Sequence, residues 1–220
     1  MIALRRAALT AFCVHAVAGA AMALVLRRGL DTNPDLRDRF DFLVNHRTLW
    51  TAGWLTWTAA AIAILYFYVT FAAAHRNDKN TLALRLGVLL TAAAIAPDLS
   101  AQAIEVGLLP DLAQRADVDH FILLNRAATL LSGLAANGLY SLSALILAWT
   151  TRGAYPRWVV SAGLVVALSG FWLSAAALIH SVDGMFWSNV VLVPGILIWL
   201  FGVANFPPPD YDSGKSQIRN

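Results

Sequence analysis

The sequence predicts an all-α polytopic membrane protein, a bundle of six transmembrane helices with both termini in the cytoplasm. Two observations carry the fold class and a third gives the orientation. Of the 220 residues, 59% are apolar and only 13% are charged, whereas about a quarter of the residues in soluble domains are charged. The charges crowd into the gaps between apolar runs of about 20 residues or more, the length that crosses a hydrocarbon core of about 30 Å. Arg and Lys also gather in alternate gaps, which sets direction by the positive-inside rule.

The first run, about 7–26, follows Arg5 and Arg6 and closes on Arg27 and Arg28. A basic start with small residues at Ala18 and Ala20 imitates a signal peptide. The run continues to Leu26 and ends on two arginines, so a retained helix is expected. The connection GLDTNPDLRDRFDFLVNH follows, with Asp31 or Asn33 as the expected cap of a short helix after Pro34. Phe40, Phe42, Leu43 and Val44 give that helix an apolar side, as an interfacial helix needs.

Further spans are expected at about 48–73, 82–109, 121–149, 158–179 and 187–206. Pro207, Pro208 and Pro209 end the last, and the polar tail 207–220 is expected to be disordered on the cytoplasmic side. With the N-terminus inside, the inner loops carry Arg76, Lys79, Arg85, Arg152 and Arg157, while the outer segments dilute their arginines with many Asp. This places the chain in the cytoplasmic membrane with the lipid bilayer as its first partner. No basic patch is interleaved with aromatics, so nucleic acid is not an expected partner. Cys13 is the single cysteine and forms no disulfide framework.

The chemistry concentrates in AIAPDLSAQAIEVGLL of the third span. Asp98, Gln102 and Glu105 fall within roughly 60° of arc on a helix, forming a polar stripe on an apolar segment. A carboxylate at mid-membrane costs at least about 2.5 kcal/mol, so such residues face a bundle interior or a water-filled cavity. Asp98 is expected deep, with Glu105 about 10 Å nearer the outer surface and more solvated. Either could hold a proton, serve a cation site, or act as acid and base in catalysis. Arg126 on the next helix is the expected charge partner of the stripe, and His15 matches Asp98 in depth.

His46, Trp50 and Trp54 descend the second span at helical spacing and suit a pocket for a cation, a quinone or a lipid ring. Trp57 continues the series, and core packing is the expected role of Trp54 and Trp57, which lie deeper than an interfacial belt. His180 and Asn189 complete the outer half of the walls. The histidines lack HExxH spacing, so no metal site is predicted, and the sequence names no cofactor. The small-residue run from Ser132 to Gly138 suits close contact between helices or with a second copy of the chain.

The order of parts also resembles an uncharacterised bacterial family of six-helix inner-membrane proteins, a domain of unknown function. The shared parts are a long first outer loop, a second helix ending in Leu65-Tyr66-Phe67-Tyr68, a third entered through Leu82-Ala83-Leu84-Arg85, and a fifth entered through Tyr155-Pro156-Arg157-Trp158. The Trp-rich start of the second span and the Pro97-Asp98 pair depart from that pattern. The resemblance implies architecture and no activity.

Three functions fit the residues. The leading expectation is an outward-facing polar cavity that binds or passes a small ligand, with Asp98 available for proton coupling. The others are an enzyme acting on a lipid or isoprenoid through Asp98 and Glu105, and a non-catalytic assembly subunit whose stripe only joins helices.

Overall fold

The computed structural model describes residues 2–206, and the tail expected at 207–220 lies outside them. The chain forms α1 (Ile2–Leu24), a 3-10 turn (Leu26–Arg28), α2 (Leu36–Asn45), α3 (Arg47–His75), α4 (Thr81–Gln114), α5 (Val118–Thr150), α6 (Arg157–Leu178) and α7 (Val182–Asn205). The described residues contain no strand. All but α2 are long and apolar enough to cross a membrane, giving the six expected spans. The third continues past 109 to Gln114 and the last begins at Val182 rather than 187. Hydropathy ends where polar side chains begin, but the backbone ladder does not. The last helix starts where the Ser181 hydroxyl accepts the Gly184 N–H at 3.1 Å.

Each span packs on the next, and α7 packs back on α1, so the spans form a closed ring. The outside of the ring is apolar, with Leu55, Ile62, Leu89, Leu123, Leu168 and Ile198 all exposed. Such a surface suits lipid contact and would be a liability in water. At the end of the ring nearest residue 2, aromatic packing fills the centre. Phe67 and Phe71 of α3 meet Trp199 of α7 at 5.7 and 6.1 Å between ring centroids, and Tyr155 stacks on Phe71 at 5.9 Å.

At the opposite end, α2 lies across the end of α4 and the start of α3. Phe42 and Leu43 of α2 join Leu26, Trp50, Leu109 and Phe121 in a second core. The cap of α2 is Asp35, which accepts the N–H groups of Arg37 at 2.9 Å and Asp38 at 3.2 Å, and not Asp31 or Asn33. Pro34 fixes the preceding turn, so the helix starts one residue later, and the two expected caps bond elsewhere. Asn33 donates to the Arg28 carbonyl and to Asp38, while Asp31 pairs with Arg39. Val44, expected on the apolar side, is exposed.

Two spans contain π-helical turns, Ile104–Leu108 in α4 and Leu130–Ala136 in α5. The first carries Glu105. The second overlaps the small-residue run, whose glycines face α6. A Cβ at Gly133 would stand 2.7 Å from Ala177 Cβ, and one at Gly138 would stand 3.6 Å from Ser174 Oγ. The run thus packs α5 on α6, and at Gly133 the backbones approach more closely than a side chain would allow.

Candidate functional site

The ring encloses a cavity of about 680 Å³. Its wall runs from Tyr68 and Val166, beside the aromatic core, to Arg27, Asp31 and Thr32 at the α2 end. Arg27 and Thr32 are exposed, so the cavity opens at that end. Asp98, Gln102 and Glu105 all stand on this wall. Helical spacing keeps the first two in register, and the π turn begins only at Ile104, too late to carry Glu105 off the face.

Asp98 is half-buried and accepts hydrogen bonds from two hydroxyls of α5, Ser132 Oγ at 3.1 Å and Tyr140 Oη at 3.3 Å. Gln102 is buried, and its side-chain carbonyl accepts from the Thr58 hydroxyl of α3. Glu105 departs from expectation. It is the more enclosed of the two acids, only 7% exposed, because the turn that carries it packs against α3 and the start of α5. Trp50 donates its indole N–H to the Glu105 backbone carbonyl at 2.7 Å, which fixes the π turn from α3.

Beside the mouth lies a buried polar network that sequence reasoning missed. Arg39 of α2 pairs with Asp31 at 2.8 Å and donates to the Gly29 carbonyl at 3.0 Å and to Asn125 Oδ1 at 3.1 Å. Asn125 in turn donates to both Asp31 oxygens, at 2.8 and 2.9 Å. The Arg39 guanidinium also lies 5.2 Å from the centroid of the Phe121 ring. One signal was available. Positions 39, 42 and 43 share a helix face, so an arginine stood on the side that Phe42 and Leu43 bury. Farther out, Arg28 donates to Asp38 and holds its carboxyl below the usual carboxylate value.

The other candidates divide. His15, Trp54 and Asn189 line the cavity. His15 bonds its own helix through Nδ1 and the Ala11 carbonyl at 2.8 Å, and Asn189 donates to the Met185 carbonyl at 2.9 Å. Trp57 lines the cavity as well. The indole nitrogens of Trp54 and Trp57 are shut away without partners among the described residues, so ring carbons meet the open space.

Four expectations fail. Among the described residues Arg126 reaches no carboxylate; its two terminal nitrogens donate to the Ala177 and Leu178 carbonyls at 2.6 and 2.7 Å. The guanidinium caps the end of α6, where the Ala177 carbonyl also accepts the His180 N–H at 3.3 Å. Trp50 is fully buried in the second core and does not line the cavity. His46, which links α2 to α3, is exposed, and so is His180, which turns the chain after α6 with φ 57°. Both histidines stand in connections, where the chain reverses outside the ring.

Among the described residues no three His, Cys, Asp or Glu side chains gather as metal ligands would. What the site offers is two acids without a basic partner in ion-pair reach, flanked by hydroxyls, amides and aromatic rings. Such a wall can take up protons, balance a cation, or hydrogen-bond a small polar molecule. No protein-family model, no curated protein and no solved structure matches the chain.

Proposed function

We propose that the chain is a multi-pass protein of the cytoplasmic membrane whose cavity binds a small molecule entering from the outer side, with proton-coupled passage as its transport form. The observation that carries this reading is the cavity of about 680 Å³ with Asp98, Gln102 and Glu105 on one wall. Small-molecule sites commonly enclose about 300–1,000 Å³ and are mostly apolar with a few converging polar groups. Orientation follows from charge. Arg76, Lys79, Arg152 and Arg157 lie in connections at the end opposite α2, so the positive-inside rule turns the α2 end outward. In this reading Asp98 is the deep titrating group, and Glu105 sits in the turn packed by α3 and the start of α5. His15, Trp54, Trp57 and Asn189 supply the rest of the wall.

The subunit alternative, in which the stripe only joins helices, loses its expected ion pair because Arg126 is bound to α6, and retains the hydrogen bonds of Asp98 to α5 and of Gln102 to α3. Thiol accessibility tests the cavity directly. With Cys13 replaced by Ala, a membrane-impermeant cationic methanethiosulfonate added outside intact cells should modify Ser132→Cys and Asn137→Cys. Ala144→Cys, in the packed core, should stay unmodified. Equal protection at all three positions refutes the proposal.

A further inference from the structure

Resting on the reading of the cavity as a binding site, we infer that its ligand is an organic cation, an ammonium or similar group on an apolar body. The charge on the wall is unbalanced. Asp31 is already matched by Arg39 at 2.8 Å. Arg27, the arginine on the lining, stands at the exposed rim. Neither Asp98 nor Glu105 belongs to an ion pair among the described residues. Asp98 is oriented by the hydroxyls of Ser132 and Tyr140, which hold a carboxylate in place without neutralising it.

Glu105 is the sharper case. It is more than nine-tenths buried, lies on the cavity wall, and its carboxylate takes part in no hydrogen bond among the described residues. A buried acid with no partner in the protein takes one from outside, a proton when the cavity is empty and a cation when one binds.

Shape and lining define that partner. A bare metal ion would find no cluster of ligands, and the space is far larger than an ion needs. Ring carbons of Trp54 and Trp57 meet the cavity, and indole rings attract cations through their quadrupole. An anion would meet two carboxylates, and a neutral ring compound would leave both unpaired.

The test uses two probes of one shape and opposite charge, tetraphenylphosphonium and tetraphenylborate, dialysed against the intact protein in nanodiscs with empty nanodiscs as reference. The phosphonium should bind saturably and at least about tenfold tighter than the borate, as expected when uncompensated buried charge selects the partner. Asp98→Asn and Glu105→Gln, which keep size and shape, should each weaken phosphonium binding by about tenfold. Equal binding of the two ions, preference for the borate, or both variants binding the phosphonium as the parent does would overturn the inference. Ala61→Phe, which narrows the cavity, separates the two levels of the reading. If it abolishes binding that shows no preference for positive charge, the cavity stands and the cation falls. If neither ion binds, or if binding ignores the phenylalanine, both readings fall.

Discussion

Replacing Arg39 by methionine tests whether the network at the mouth holds α2 over the cavity. Arg39 is 7% exposed and is held by Asp31, Asn125 and the Gly29 carbonyl. Methionine keeps much of the apolar stem and removes every charge-assisted bond. Removing one partner of a buried pair costs about 3–5 kcal/mol, because the other charge is left uncompensated. The Asp31 side chain remains 19% exposed and regains some water, which lowers the expected loss to about 2–4 kcal/mol. Asp31→Asn leaves the more buried Arg39 charge uncompensated and should cost at least as much, about 3–5 kcal/mol. If the pair acts as a unit, the double variant falls short of the summed losses by about 2 kcal/mol. Unfolding in mixed detergent micelles, followed by tryptophan fluorescence, measures all three. A loss below about 0.5 kcal/mol for Arg39→Met, or additive single losses, refutes the reasoning.

Two further outcomes follow from single contacts. Trp50→Phe strips the donor from the Glu105 carbonyl and should cost about 1–3 kcal/mol in the same unfolding assay, with faster amide exchange across 104–108; unchanged exchange there would mean that the indole does not fix the turn. The Asp38 carboxyl is lowered by the hydrogen bond from Arg28, so the tie between them is complete above the ordinary carboxylate value of 3.8 and is lost as pH falls through the lower folded value. A carboxyl titration of Asp38 by NMR should show a midpoint below 3.8 that moves up in Arg28→Gln.

Much of the architecture was legible because it depends on composition along the chain. Apolar runs set the six spans, and the exposed leucines and isoleucines of the ring are the same residues that made those runs. The stripe at 98, 102 and 105 was legible for a related reason, since three side chains on one helix need only a period to be grouped. What stayed hidden depends on chain segments far apart. Arg39 and Asn125 are 86 positions apart, and nothing local announces their bond.

Arg126 shows the same limit from the other side. Its neighbours in depth were carboxylates, but it bonds the carbonyls ending α6, and a helix end offers such acceptors whatever its side chains are. The burial of Glu105 failed by depth alone, because depth was counted along α4 while the turn that carries it is packed by α3 and the start of α5. Trp57, assigned to packing, meets the open space, since its place depends on the gap between helices more than on its own.

The closed ring sets the order in which this molecule can be completed. α1 and α7 form the seam, with the Phe12 and Phe201 rings 6.4 Å apart and Val193 filling the space before Gly19. The ribosome delivers the first of these spans long before the sixth. Until residue 182 onward is inserted, the cavity is an open cleft whose acids face lipid or the insertion machinery. Residues 182–196 supply part of the cavity wall, so a chain cut before its last span should lack the closed cavity altogether.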